Sequence, residues 1–219
     1  MTIEEIARKA CQRLNLQDTY SINKAIEYAK QRWQTIWNCH LWKDSVGYAS
    51  VQAEMDGARC ILRVPLERVR AIRYDNYAIY PIDPCNVFQL DASAFDGYGE
   101  VCGFTPLGKD AEGNRIVHIL KIPRDLEGKS FLVMGKIKCP KLEDTDEPFL
   151  TGVEDALTEF VAGDMWMDDQ QQSKGATAYS SGSTFVEQMR KLDGEQSASN
   201  PRFIPDCGVG YQARDFFDD

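Results

Sequence analysis

The chain contains two histidines, and they limit the acid–base and nucleophilic chemistry that the sequence could support. His40 lies near the end of a helix-like stretch, and His118 lies inside the strand-like run RIVHILKIP. A serine or cysteine nucleophile needs a histidine beside it, and no Gly-x-Ser-x-Gly turn or comparable context is present. We interpret His118 as a satisfied or surface-facing strand histidine. The sequence therefore predicts no catalytic residue and a protein that is not an enzyme.

Two acidic segments, LEDTDEP at 142–148 and GKDAEGN at 108–114, raise the question of calcium or magnesium binding. Neither segment has the calcium-loop spacing, with acidic positions 1, 3 and 5 and glycine at position 6, so we interpret both as solvated turns. The seven cysteines are scattered without a Cys-x-x-Cys pair, which favours reduced, mostly buried thiols. The glycines fall in hairpin turns rather than in a phosphate-binding loop. The sequence predicts no metal site and no cofactor.

Arginines and tyrosines concentrate in one segment of the chain, which carries Arg59, Arg63, Arg68, Arg70 and Arg73 together with Tyr74, Tyr77 and Tyr80. This mixture could form the binding face of an oligonucleotide-binding barrel. Carboxylates interrupt it at Glu54, Asp56, Glu67 and Asp75, which instead favours a solvated face or intersubunit ion pairs. Because these carboxylates offset the arginines and the net charge is −9, we expect weak, unspecific binding to single-stranded DNA.

The amino-terminal segment has the pattern of two amphipathic helices. Thr2 and Glu5 form a capping box for the first helix, whose apolar stripe ends at Leu14. Ser21 is the predicted N-cap of a second helix that ends at about His40 or Trp42. No apolar run approaches the length of a membrane span, so we expect no contact with a membrane.

A period of two replaces the helical spacing from Lys43 onward and predicts about seven short strands, arranged as an antiparallel barrel or sandwich. Helical spacing returns with a second capping box, from Thr151 to Glu154, and this helix runs to about Asp168. A fourth helix follows, weak at its start because of two glycines, with Phe185, Met189 and Leu192 on its apolar side.

These elements predict an α+β fold in which the helices of both chain ends form a four-helix bundle. The bundle comprises residues 1–42 and 150–198, and residues 43–149 form an inserted antiparallel β-barrel or sandwich-like domain. Residues 199–219 form an extended C-terminal arm, which prolines and glycines interrupt too often for independent folding. The arm keeps apolar groups that we predict to bind a partner: Phe203, Ile204, Pro205, Tyr211, Phe216 and Phe217.

Five segments, in their order along the chain, resemble the head-to-tail adaptor proteins of tailed bacteriophages, also called connector or head-completion proteins. They are YAKQRWQTIWNCHLWKDSV, LRVPLERVRAIRYDNYAIYPIDP, GEVCGFTPLGKDAEGNRIVHILKIPRD, LTGVEDALTEFVAGDMWMDD and NPRFIPD. The resemblance covers about residues 3–206 and rests on the pattern and order of these segments rather than on an invariant motif.

The resemblance implies a structural virion protein that forms a ring, commonly twelvefold, beneath the portal and joins the phage head to the tail. Its implied partners are further copies of the chain, the portal protein, and tail or neck proteins, and the arm is implied to reach one of these neighbours. DNA would pass through the ring without specific binding, and the acidic chain would favour such passage. The protein would be made in the host bacterial cytoplasm and reside in the neck of the virion. The alternatives are another neck, completion or tail-tube protein and, less favoured, an oligonucleotide-binding β-barrel module.

Overall fold

A computed structural model describes residues 1–57, 59–74, 77–83, 103–121 and 128–198. The chain divides into two compact units. The first, here called the helical unit, combines Met1–Val46 with Lys138–Ser199, and the second, the β unit, is Gly47–Ile137. The helical unit thus takes in residues 43–46 and 138–149, which the sequence interpretation assigned to the β-rich insert.

Four α-helices lie in the described part of the helical unit: α1 (Ile3–Arg13), α2 (Thr19–Cys39), α3 (Val153–Asp168) and α4 (Gln172–Ala198). None of these helices is both long and apolar enough to cross a lipid bilayer.

The first three helices begin in different ways, two of them with a side-chain cap and one without. The predicted capping box of α1 is confirmed, because Thr2 Oγ1 accepts a hydrogen bond from the Glu5 amide while the Glu5 carboxylate accepts one from the Thr2 amide. The predicted cap of α2 is wrong, since Asp18 is the N-cap and accepts from the Ser21 amide at 2.9 Å. The second capping box is also wrong: the N-cap of α3 is Gly152, at φ 78°, without a side-chain hydrogen bond.

Helices α1, α2 and α3 share one core in which alanines allow close approach of the helices. The buried set is Ile3, Ala7, Ala10, Cys11, Ala25, Ile26, Ala29, Val161, Ala162 and Met165. Further along α2, the rings of Trp33 and Trp37 are 5.3 Å apart and both pack edge-on against Phe149. Burial of two tryptophans on one helix face contributes several kcal/mol to the stability of this unit.

The predicted four-helix bundle is wrong, because α4 does not join the core of the other three helices. It packs along α3 through a narrow stripe with one buried residue per turn: Gly175, Ala178, Gly182, Val186 and Met189. A stripe this narrow covers a single neighbouring helix, whereas a bundle position needs a wider apolar face. Leu192, predicted on the apolar side, is 59% exposed.

The weak start predicted for α4 is also wrong, because the helix is continuous from Gln172 and its glycines have a packing role. A Cβ built on Gly182 would come within 3.0 Å of the Phe160 ring, and one built on Gly175 within 3.0 Å of Met167. The glycines therefore let α4 approach α3 closely, and this packing offsets their poor helix propensity.

The described part of the β unit contains eight strands in two four-stranded antiparallel sheets. The strands are β1 (Val46–Gln52), β2 (Glu54–Asp56), β3 (Arg59–Val64), β4 (Arg68–Tyr74), β5 (Tyr77–Ile79), β6 (Gly103–Lys109), β7 (Arg115–Leu120) and β8 (Ser130–Lys136). The first sheet has the order β1-β8-β4-β5, and the second has the order β2-β3-β7-β6.

The predicted barrel is wrong, because the two sheets face each other across one core without closing among the described strands. Alternate residues of both sheets point into this core, which includes Leu62, Ile72, Val117, Phe131 and Val133. The strands β2 and β5 at the sheet edges have three residues each, so they offer few backbone hydrogen bonds with which a barrel could close.

Candidate interaction face of the β unit

A β-bulge in strand β4 decides where its arginines point. Across from β8, Arg68 lies opposite Lys136 and Val69 opposite Gly135, but the next partner, Met134, lies opposite Ala71. Arg70 is therefore the extra residue of a bulge. In a regular strand, Arg68 and Arg73 would lie on opposite faces, since their spacing is odd. The bulge restores the alternation and brings both of them to the outer face of the first sheet.

Gly135 on β8 permits the close approach of the two strands at this bulge. A Cβ built at this position would overlap the carbonyl oxygen of Arg68 and lie 3.1 Å from the Val69 Cα. Both obstacles are backbone atoms, which cannot move aside as a flexible side chain can. The position therefore requires glycine, and the arginine positions on β4 depend on it.

The side chains of Arg68, Arg70 and Arg73 are exposed and form no ion pair or hydrogen bond within the part of the chain that the structure describes. Two of the carboxylates that interrupt this segment bind elsewhere. Glu54 accepts a hydrogen bond from Arg63 at 2.9 Å, and Glu67 binds Lys109 at 3.0 Å.

The sequence-based argument that nearby carboxylates offset all five arginines is therefore wrong for the three on β4. Glu67 is also 3.6 Å from Arg115, so its charge is shared by two other cations. Asp75 lies outside the described residues. The weak binding to single-stranded DNA that was inferred from this offset stays a prediction.

Apolar and aromatic side chains accompany these arginines on the outer face of the first sheet. Tyr48 on β1 is 67% exposed, and Leu132 on β8 is 39% exposed. Their sequence neighbours point inward: Ala49 packs against the core, and Phe131 belongs to it. We call the surface formed by Arg68, Arg70, Arg73, Tyr48 and Leu132 the arginine face.

The histidines occupy structural positions in separate units. His40 ends α2, where its Nε2 lies 3.2 Å from Asp193 Oδ2 and its ring packs edge-on against Trp42. The other Asp193 oxygen accepts the Lys43 amide at 3.1 Å, so this carboxylate ties the end of α2 to α4. His118 on β7 is 6% exposed, opposite Ile61 and Thr105 in the register of the second sheet.

The acidic segments lie in turns, and the four cysteines that the structure describes differ in their burial. Asp110 accepts the Asn114 amide at 2.8 Å in the β6–β7 turn. Within the described ranges, no three histidine, cysteine or carboxylate side chains gather as a metal site would require. Cys11 and Cys60 are buried, and burial raises the pKa of the Cys60 thiol to about 11. Cys39 is exposed and Cys139 is half-buried, so two of the four described cysteines depart from the expectation of mostly buried thiols.

A cleft of about 340 Å³ between α1, α3 and α4 is a possible ligand site in the helical unit. Its polar side chains already bind one another. Arg13 forms an ion pair with Glu159, and the Lys174 ammonium lies 4.3 Å from the centre of the Trp166 ring. The cleft therefore offers a ligand few uncommitted polar groups.

A half-buried polar cluster joins α2, α3 and α4. Arg32 Nε donates to Asp164 Oδ2 at 2.7 Å, and the Tyr179 hydroxyl donates to Asp164 Oδ1 at 2.7 Å. The Arg32 guanidinium also lies over the Tyr179 ring, 5.1 Å from its centre. Burial and the hydrogen bond to Asp164 raise the pKa of Tyr179 to about 12. Since every group has a partner inside the unit, the cluster serves packing of the helices.

The predicted partner-binding residues Phe203, Ile204, Pro205, Tyr211, Phe216 and Phe217 lie outside the described residues. No known protein family matches the chain, and no characterised protein is significantly similar to it.

Sequence analysis identified the arginines of β4 but missed the face that they form with Tyr48 and Leu132. The signal available in the sequence was the odd spacing of Arg68 and Arg73 in an otherwise alternating strand. An odd spacing of like residues is the pattern that a bulge produces, although sequence alone does not locate the glycine that accommodates it.

Proposed function

We propose that this chain is a structural subunit of a tailed-bacteriophage virion, a non-enzymatic adaptor that forms a ring between portal and tail. The observation that carries the proposal is the arginine face. Three arginines without an ion-pair partner among the described residues share the outer face of the first sheet with an exposed tyrosine and an exposed leucine. Arginine and tyrosine are enriched at the centres of protein–protein interfaces. The face therefore supports a role in assembly, and the resemblance to head-to-tail adaptors supplies the kind of assembly.

The C-terminal arm is the second part of the proposal. Its residues Phe203, Ile204, Pro205, Tyr211, Phe216 and Phe217 would dock on a neighbouring subunit or on the portal. Each buried aromatic side chain could contribute about 1.5 to 3 kcal/mol before the cost of ordering the arm.

The net charge of −9 fits a subunit around a DNA channel. Like charge on the channel wall keeps the phosphate backbone from adhering, so that DNA can move through the ring.

Localisation in the particle tests this proposal. Virions from the phage that encodes the chain would be purified, cross-linked and mapped by mass spectrometry and electron microscopy. We expect the chain in the neck, cross-linked to portal subunits and to tail proteins. Its absence from purified particles would overturn the proposal, and a position in the tail tube would favour the alternative virion role.

Truncation of residues 203–219 tests the arm separately. We expect the truncated chain to keep the thermal midpoint of the full chain but to fail to enter particles. The matched control is the full-length chain with Phe203, Phe216 and Phe217 changed to Ala, which keeps the length and loses the apolar groups. Normal incorporation of both variants would show that the arm is not a docking segment.

A second candidate function is binding of single-stranded nucleic acid, since exposed arginines beside a tyrosine can bind phosphates and stack on bases. The predicted barrel on which this candidate first rested is wrong, but the arginine face itself favours testing it. Fluorescence anisotropy with a labelled oligonucleotide at physiological salt measures the binding. Submicromolar affinity that is lost when Arg68 and Arg70 are changed to Ala would establish this candidate.

A further inference from the structure

We infer that the arginine face binds the acidic loop of a second copy of this chain, formed by residues 143–147. The inference deepens the proposed ring by naming the two surfaces that meet, and it can be tested in solution without the virion.

The acidic loop carries more negative charge than its own unit neutralises. Asp144 lies 2.8 Å from Lys30, and Glu147 lies 3.6 Å from the amino-terminal ammonium group. Glu143 is exposed and forms no ion pair with any described residue. Four carboxylates thus face two cations, and the remaining charge is open to a partner.

Backbone hydrogen bonds hold the acidic loop in one conformation. The amides of Ile3 and Glu4 donate to the carbonyl oxygens of Asp146 and Asp144, at 3.0 and 2.9 Å. The Asp146 carboxylate accepts the Glu143 amide at 2.8 Å, which closes the turn. A loop that is fixed before binding loses little conformational entropy when a partner docks.

An exposed aromatic ring stands beside the acidic loop, as exposed apolar groups stand beside the arginines. Phe149 is 43% exposed although it packs against Trp33 and Trp37, which fix its position. The arginine face offers Tyr48 and Leu132 as apolar counterparts. The two surfaces are therefore complementary in both charge and apolar character.

The overall charge favours a protein partner over nucleic acid. Residues 1–46 and 138–199 contain 12 Lys and Arg against 18 Asp and Glu, a net charge of −6. The whole chain carries a net charge of −9, which opposes the approach of DNA. A second copy presents part of its negative charge as the acidic loop, which is the surface that the arginines lack. Since the surfaces that meet are different, the contact is heterologous, and repetition yields a ring or a filament.

Charge reversal on each surface tests the contact. The face variant carries Arg68→Glu, Arg70→Glu and Arg73→Glu. The loop variant carries Glu143→Lys and Glu147→Lys and leaves Asp144 and Asp146, which hold the loop, unchanged. A control variant with Lys129→Glu, Lys174→Glu and Lys191→Glu changes the net charge as much as the face variant does, at exposed positions elsewhere.

Sedimentation velocity of the full chain over a range of concentrations and salt gives the readout. We expect the wild type and the control variant to self-associate, more weakly at high salt. Each reversed variant alone should associate at least about tenfold more weakly, because like charges then meet. An equimolar mixture of the face and loop variants should recover association, because every contact in the mixture joins opposite charges. Far-UV circular dichroism and urea midpoints verify that the variants are folded.

Three outcomes would overturn the inference. One is a wild-type chain that stays monomeric at its highest soluble concentration. Another is loss of association in the face variant that the loop variant does not restore, which would place the acidic partner elsewhere. The third is an arginine face that binds a single-stranded oligonucleotide and not the second copy. If the chain is absent from virions but the mixture of variants recovers association, the proposed function is wrong and this contact is supported.

Discussion

Helix α3 and strand β4 are both highly charged, but their charged side chains have different partners. The five carboxylates of α3 each face a cation of the same unit, pairing Glu154 with the chain's amino group, Asp155 with Lys9, Glu159 with Arg13, Asp164 with Arg32 and Asp168 with Lys24. The three arginines of β4 face none among the described residues. The charge of α3 therefore orients its own helices, while the charge of β4 is open to a partner. A high density of charge in a sequence thus does not indicate that the charged side chains are available to a partner.

The largest change in the free energy of unfolding is expected at Gly135, the glycine opposite the bulge of β4. Gly135→Ala should lower the free energy of unfolding by about 3 kcal/mol, because its methyl group would overlap the Arg68 backbone. Urea denaturation followed by circular dichroism measures the change.

Gly194→Ala is the matched control for this substitution, since nothing lies within 4 Å of a Cβ at that position in α4. It should be neutral or stabilise the protein by about 0.5 kcal/mol, because alanine favours a helix. A Gly135→Ala protein as stable as wild type would show that the strands separate easily at the bulge.

A smaller loss of stability is expected when a paired arginine is removed, and almost none when an arginine of β4 is removed. Arg32→Ala removes both hydrogen bonds to Asp164, whose side chain is 13% exposed, and should cost about 2 kcal/mol. Arg73→Ala, the same change at an unpaired position, should alter the free energy of unfolding by less than about 0.5 kcal/mol. Urea midpoints of the two variants give the comparison. Equal losses would mean that Arg73 has a stabilising partner in the folded chain.

The smallest change in stability is expected from ionisation of Tyr179 in the polar cluster. Because the pKa of Tyr179 is raised to about 12 in the folded protein, its contribution to stability is complete below pH 10 and is lost as the pH rises from about 10 to 12. An ultraviolet absorbance titration should show one tyrosine fewer ionising at about pH 12 in Tyr179→Phe. Tyr20→Phe, which removes a tyrosine that is 76% exposed, should leave that late ionisation in place.

The sequence predicted elements well where the deciding chemistry is local. The capping box of α1 involves residues three positions apart, so Thr2 and Glu5 sufficed to place its start. For α2, two good capping residues lie three positions apart, and only the structure shows that Asp18 rather than Ser21 begins the helix. The prediction of a weak start for α4 was wrong because the effect of its glycines is not local: it depends on contact with α3.

The candidate site was predictable in composition but not in arrangement. Arginines and tyrosines of one segment were evident, yet their availability depends on which carboxylates lie near them in space. Glu67 is adjacent to Arg68 in sequence but binds Lys109 and Arg115, which lie 42 and 48 positions further along the chain. Pairing over such separations is a tertiary property, and a count of neighbouring charges in the sequence cannot supply it.

The bulge in β4 also determines which changes in chain length the strand can absorb. Deletion of Arg70 would remove the extra residue between two paired ones, so Val69 and Ala71 would become consecutive opposite Gly135 and Met134. Every other residue of the strand would keep its partner and its face. Loss of Ala71 would be absorbed in the same way, because Arg70 would then lie opposite Met134 on the outer face. Loss of Ile72 would instead place Ala71 opposite Val133, at a buried position that Ile72 fills. Homologous sequences shorter by one residue at this strand are therefore expected to lack the residue at position 70 or 71.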